Sequence, residues 1–167
     1  MSILNVGEVQ ANFIKSTTGN TALSIDSSGR VTNPLQPAFR VYGPSGGPDT
    51  IITFASTEYN IGNHMNAGTG IFTAPIAGRY LFTFSILCGN PMGVYVRILF
   101  CKNSTVGDVS LGDTLSDGHN SYGSPSMSMI FSLAANDTIR LRADGAAGEG
   151  TKVYGPTWGS FSGCLIG

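Results

Sequence analysis

Charge is what this sequence has least of. Asp, Glu, Lys and Arg make up 11% of its 167 residues, against roughly 25% in an ordinary soluble domain. Ten acidic and nine basic side chains leave a net charge of −1, and the mean hydropathy is +0.12. Binding nucleic acid needs a basic face, which this thin scatter of Lys and Arg does not supply. With little charge to keep copies apart, a lone monomer would tend to associate, so cover by copies of itself or by a larger assembly is expected. Long apolar runs are also missing. None approaches the ~20 residues that span a bilayer, so no membrane insertion is expected. The opening MSILNVGEVQ has no basic stretch leading into an apolar one, as a secretory leader would. Cysteine is scarce: Cys88, Cys101 and Cys164 are an odd number without metal-ligand spacing. Buried free thiols acting as small hydrophobes are expected, which suits synthesis in a reducing cytoplasm.

A 3.6-residue apolar period is absent over any long segment, which argues against helices. Period-two alternation takes its place. From Gly78 to Cys88, Tyr80, Phe82, Phe84 and Ile86 share one face, with Arg79, Leu81, Thr83, Ser85 and Leu87 on the other. Val94 to Cys101 sets Val94, Val96, Ile98 and Phe100 against Tyr95, Arg97, Leu99 and Cys101. Ser126 to Leu133, Thr138 to Ala143 and Ser160 to Ile166 continue the pattern. Gly89-Asn90-Pro91, Ala135-Asn136-Asp137 and the glycine-rich stretch from Asp144 to Gly150 supply turns. Many short strands at this spacing predict an all-β sandwich or barrel. Core positions are expected at Phe72, Tyr80, Phe82, Phe84, Ile98, Phe161 and Leu165. Leu81, Leu99 and Ile130 lie on second faces that a solvated sheet would keep polar, and predict a subunit interface.

Residues 1–35 differ. Strand-like pieces (Ile3 to Val9, Phe13-Ile14, Ala22 to Ile25) alternate with Thr-Thr-Gly-Asn and Ser-Ser-Gly turns, too few residues to build a core. Asn33-Pro34-Leu35-Gln36-Pro37 reads as an extended linker. The predicted division is an arm over 1–35 and a domain over 36–167. The arm's apolar positions, Ile3, Val6, Val9, Phe13, Ile14, Leu23 and Ile25, need a partner, either the arms of other copies or another protein on which they dock the chain.

No catalytic or cofactor set stands out, and no enzyme activity is expected. His64 and His119 lie in Gly/Asn-rich loops. Gly159-Ser160-Phe161-Ser162-Gly163 has Phe where a nucleophile elbow needs Ser. A hard cation such as calcium would need several oxygens together. Asp108, Asp113 and Asp117 share one stretch, and Asp144 and Glu149 another, neither with calcium-loop spacing.

Thr69-Gly70-Ile71-Phe72-Thr73-Ala74-Pro75-Ile76-Ala77-Gly78-Arg79-Tyr80-Leu81-Phe82 resembles the central signature of the C1q-like domain, a Thr-Gly-x-Phe turn leading into Pro-x-x-Gly-x-Tyr-x-Phe. Pro37-Ala38-Phe39, Ile52-Thr53-Phe54 and Tyr59-Asn60 resemble its earlier landmarks. Leu133 to Leu141 resembles Leu-x-x-Gly-Asp-x-Val-x-Leu, with Asn136 in place of Gly. Phe161-Ser162-Gly163-Cys164-Leu165 resembles the closing strand, with Cys164 in place of an aromatic. The resemblance implies the jelly-roll β-sandwich of the C1q and tumour necrosis factor superfamily, trimerising through one sheet. Gly19 to Val31 is similar to segments of bacteriophage tail-fibre and virion surface proteins. Together these imply a homotrimeric phage structural protein, a capsid decoration or cement protein docked by its arm on other virion proteins. The alternatives are a short tail fibre or tip that binds a host-surface glycan or protein, and a soluble C1q-like lectin.

Overall fold

The alternating runs fold as strands. The computed structural model describes residues 12–47, 49–90, 96–103, 121–145, 152–153 and 158–167. The expectations for Ile3, Val6, Val9, Val94, Asp108, Asp113, Asp117, His119 and Glu149 lie outside the described residues. Two units divide the chain, Met1–Gln36 and Pro37–Gly167.

The first unit holds one antiparallel sheet of β1 (Phe13–Lys15), β2 (Thr21–Ile25) and β3 (Val31–Thr32), in that order. Asp26 forms the β2–β3 turn. Its carboxylate accepts from the backbone N–H groups of Ser28 and Arg30 and from Arg30 Nε. The Arg30 amide and guanidinium, in that order, hold the Asp26 carboxyl below the usual carboxylate range.

The second unit carries β4 (Ala38–Ser45), β5 (Thr53–Ile61), β6 (Met65–Asn66), β7 (Ile71–Thr73), β8 (Gly78–Ile86), β9 (Cys88–Asn90), β10 (Val96–Lys102), β11 (Ser121–Gly123), β12 (Ser126–Leu133), β13 (Thr138–Gly145), β14 (Lys152–Val153) and β15 (Gly159–Leu165). They pair antiparallel into sheets ordered β12-β8-β15-β4-β5, β10-β13-β7-β6 and β11-β9-β14. The expected strand from Gly78 to Cys88 breaks at Leu87, whose N–H leaves β8 to donate to the Trp158 carbonyl.

The five- and four-stranded sheets bury a shared aromatic core. Phe39, Phe72, Tyr80, Phe82, Phe84, Ile98, Phe100, Phe131 and Phe161 are all enclosed. Phe82 is the hub. Its ring centroid lies 5.2 Å from Phe72, 5.9 Å from Phe131 and from Phe161, and 6.2 Å from Phe39. Such offset and edge-on pairs add to the burial of the rings themselves. Leu165, expected inside, is only partly buried and packs on the margin of this core, because it is the last residue of β15.

Several landmark residues have a local physical role. Gly70 has φ +69°, and a Cβ there would sit 2.0 Å from the Ile52 carbonyl oxygen, so no other residue fits the turn before β7. Tyr80 donates its hydroxyl to the Ile76 carbonyl at 2.8 Å, tying the Pro75–Gly78 corner to the core. Asn60 clamps the β5–β6 turn through its side chain, donating to the Met65 carbonyl and accepting from the Met65 N–H. Asn136 takes φ +71°, the left-handed conformation that glycine adopts more easily.

Candidate functional site

The outer face of the five-stranded sheet is assembled from five separate stretches of chain. Alternation along β8 sends Tyr80, Phe82, Phe84 and Ile86 to the core, leaving Arg79, Leu81, Thr83 and Ser85 outward. On β15, Phe161 and Gly163 are buried, so Ser160, Ser162 and Cys164 face out. Cross-strand register then fixes who stands beside whom. Ile61 pairs with Ala38, Ala38 with Cys164, Cys164 with Leu81, and Leu81 with Ile130. Directly opposed residues share a face, so these five make an uninterrupted apolar row across all five strands. The next outward row is polar apart from the Tyr59 ring: Tyr59, Arg40, Ser162, Thr83 and Ser128. The one after it, Tyr42, Ser160, Ser85 and Ser126, is rich in hydroxyls. Ser128 and Thr83 hydrogen-bond at 2.8 Å, and Arg40 pairs with Glu58 at 2.6 Å. A shallow groove of about 460 Å³ runs between Thr83, Ser85, Ser126, Ser128 and Ser160.

This places the three residues expected at an interface. Leu81 and Ile130 are neighbours in the apolar row, and Ile130 is 58% exposed. Leu99 is not with them. It lies on β10 of the other sheet and is 2% exposed within a single chain, so it has no surface to offer a second copy. The alternation on β10 is real, but both sides of the strand are covered: Ile98 and Phe100 are buried, and so are Leu99 and Cys101. Ala38, Ile61 and Cys164, which complete the row, were not expected from sequence. Their only signal is the register that aligns them with Leu81.

Several other titratable side chains are buried or paired within the domain. Burial pushes the Cys88 thiol up to about 12 and raises Cys101, so neither thiol is activated. Arg97 pairs with Asp144 at 3.5 Å, and Arg142 with Asp49 at 2.9 Å. Asp137, at the β12–β13 turn, accepts from Lys102 Nζ and Asn103 Nδ2, each at 2.7 Å, and from the Ala134 N–H. These contacts, Lys102 foremost, hold its carboxyl down at about 2. Among the described residues, no three His, Cys, Asp or Glu side chains come together as metal ligands.

Residues 38–166 match the C1q domain. The chain belongs to the C1q family. It is 31% identical to Complement C1q tumor necrosis factor-related protein 3 of Mus musculus over 110 residues, 66% of this chain and 43% of that protein. It is 28% identical to Caprin-2 of Danio rerio over 121 residues, 71% of this chain and 12% of that protein. The chain thus spans less than half the length of these curated relatives. Among solved structures, the globular domain of zebrafish complement 1qA superposes with a TM-score of 0.63 at 20% identity, covering 79% of this chain and 98% of that one. Murine APRIL superposes with a TM-score of 0.58 at 14% identity, covering 78% and 99%. At these identities the likeness concerns the fold, the C1q/TNF jelly roll expected from the sequence.

Proposed function

We propose that this chain is a homotrimeric, non-catalytic structural protein at the surface of a bacteriophage particle. Its C1q domain assembles through the outer face of the five-stranded sheet, and residues 1–35 attach it to capsid or tail after synthesis in the host cytoplasm. The observation that carries the assembly is the apolar row Ile61–Ala38–Cys164–Leu81–Ile130. A chain with 11% charged residues gains by covering such a row with copies of itself, and a closed ring satisfies every copy equally. Light scattering on the purified protein should report three chains at micromolar concentration. Leu81→Asp should raise the dissociation constant by at least about 100-fold, since an unpaired carboxylate would be buried in the contact. A stable wild-type monomer sinks the assembly reading.

The particle reading is supported by the N-terminal unit. Residues 12–36 form an antiparallel sheet rather than a Gly-x-y stalk, and Gly19 to Val31 resembles virion surface segments. Antibody labelling of purified particles in the electron microscope tests it. Label on the capsid favours a decoration protein, and label at a tail tip favours a fibre that binds a host receptor. Protein found only free in the lysate favours a soluble recognition role, which the complement-related names of the relatives support. Deletion of residues 1–35 should leave a folded head that no longer attaches. A truncated head that still decorates particles would place docking in the sandwich.

A further inference from the structure

Among the described residues of its unit, the N-terminal sheet has an apolar face that stands open. Register puts Ile14 opposite Leu23 and Val31 opposite Ile25, and Leu23 and Ile25 lie two apart on β2. All four side chains therefore share one face. Phe13, Ser24 and Thr32 share the other. Ile14 is 52% and Val31 60% exposed. Strands of three, five and two residues in a single layer cannot bury either face alone, and so small a sheet is marginal in water.

Charge narrows what can cover this face. The charged residues of the described arm are Lys15, Asp26 and Arg30. Asp26 and Arg30 pair with each other across their turn at 2.6 Å, and the Lys15 ammonium lies 4.7 Å from the ring of Phe13, a residue of the opposite face. Among the described residues, the Ile14–Leu23–Ile25–Val31 face is left without charge. It offers nothing to pair with a polar or charged partner and no repulsion against its own copy.

The tether supplies the copies. Five residues, 33–37, join Thr32 to Ala38, and at full extension the link reaches no more than roughly 20 Å. Ala38 belongs to the apolar row of the head. Whatever orientation each arm takes, three heads joined through that row hold three arms at an effective concentration on the order of millimolar. We infer that the Ile14–Leu23–Ile25–Val31 face is covered by the same face of the second and third copies, so that the arm is a second, separate clasp of the trimer. Attachment to the particle is then left to the Phe13 face and the sheet edges. The inference rests on the head assembly proposed above.

The test introduces single cysteines into the full chain at Leu23, in the apolar face, and at Ser24, in the opposite one. A short bismaleimide is applied, the products are separated on a denaturing gel, and the parent chain run alongside accounts for any link through its own cysteines. Light scattering is recorded on each sample. The expected result is three chains in every sample, with linked chains well above the parent's level for Leu23→Cys and not for Ser24→Cys. Val31→Cys, on the same apolar face, repeats the first arm should Leu23→Cys fail to fold. Three chains with no extra linkage at Leu23 or Val31, or with equal linkage at Ser24, overturn the clasp and leave the head assembly standing. A monomeric parent overturns both.

Discussion

Emptying the Phe82 site should cost the fold roughly 3–5 kcal/mol, the usual range for truncating a buried aromatic to alanine. Phe82 is fully enclosed and has six aromatic neighbours, Phe39, Phe72, Tyr80, Phe100, Phe131 and Phe161, with centroids within 6.5 Å. No single neighbour can collapse into so large a gap without leaving its own contacts, so the upper half of the range is expected. The structure also predicts a coupling. Gly163 is the β15 partner of Phe82, and a Cβ at Gly163 would lie 2.5 Å from the Phe82 ring and 2.8 Å from Phe39. Gly163→Ala should therefore cost about 1–3 kcal/mol through overpacking. In the Phe82→Ala background the nearest clash is gone, and the same change should cost about 1 kcal/mol less. Urea melts at one fixed protomer concentration measure all four corners of the cycle, provided the slope is unchanged. A Phe82→Ala loss below about 1 kcal/mol would mean the strand faces the other way. Strict additivity would mean that Gly163 does not stand against Phe82.

Two further outcomes follow from the β12–β13 turn. Because its folded-state carboxyl is depressed to about 2 from an ordinary 3.8, Asp137 contributes stability above pH 4 that is lost as pH falls from about 4 to about 2. Thermal melts across that window should show a steeper loss in the wild type than in Asp137→Asn, and equal slopes would refute the assignment. Asn136→Gly should be neutral to within about 0.5 kcal/mol, whereas Asn136→Val should cost about 1–2 kcal/mol, because a β-branched side chain resists positive φ. Indistinguishable melts for the two variants would refute the left-handed turn.

On β8, period-two alternation alone determined the inward set Tyr80, Phe82, Phe84 and Ile86. The turn residues Ala135, Asn136 and Asp137 marked where β12 stops, whereas Gly89 and Asn90, expected in a turn, pair within β9; the Thr69–Phe82 signature with its later partners pointed to the jelly roll. These are local properties: a strand's side-chain period and a turn's φ are set by residues adjacent in the chain. The tertiary structure decided what depends on neighbours far apart in sequence. Alternation showed that Leu81, Leu99 and Ile130 lie on second faces but not what covers those faces. Leu99 proved enclosed on its side of β10, while Leu81 and Ile130 stayed on an open one. Ala38, Ile61 and Cys164 joined them only because the pairing of β5, β4, β15, β8 and β12 brings five distant positions into one register. In the same way, Gly163 lies against Phe82 only because β15 pairs with β8. A strand's own sequence sets its two faces; the strands beside it and the layer over it set what each face does.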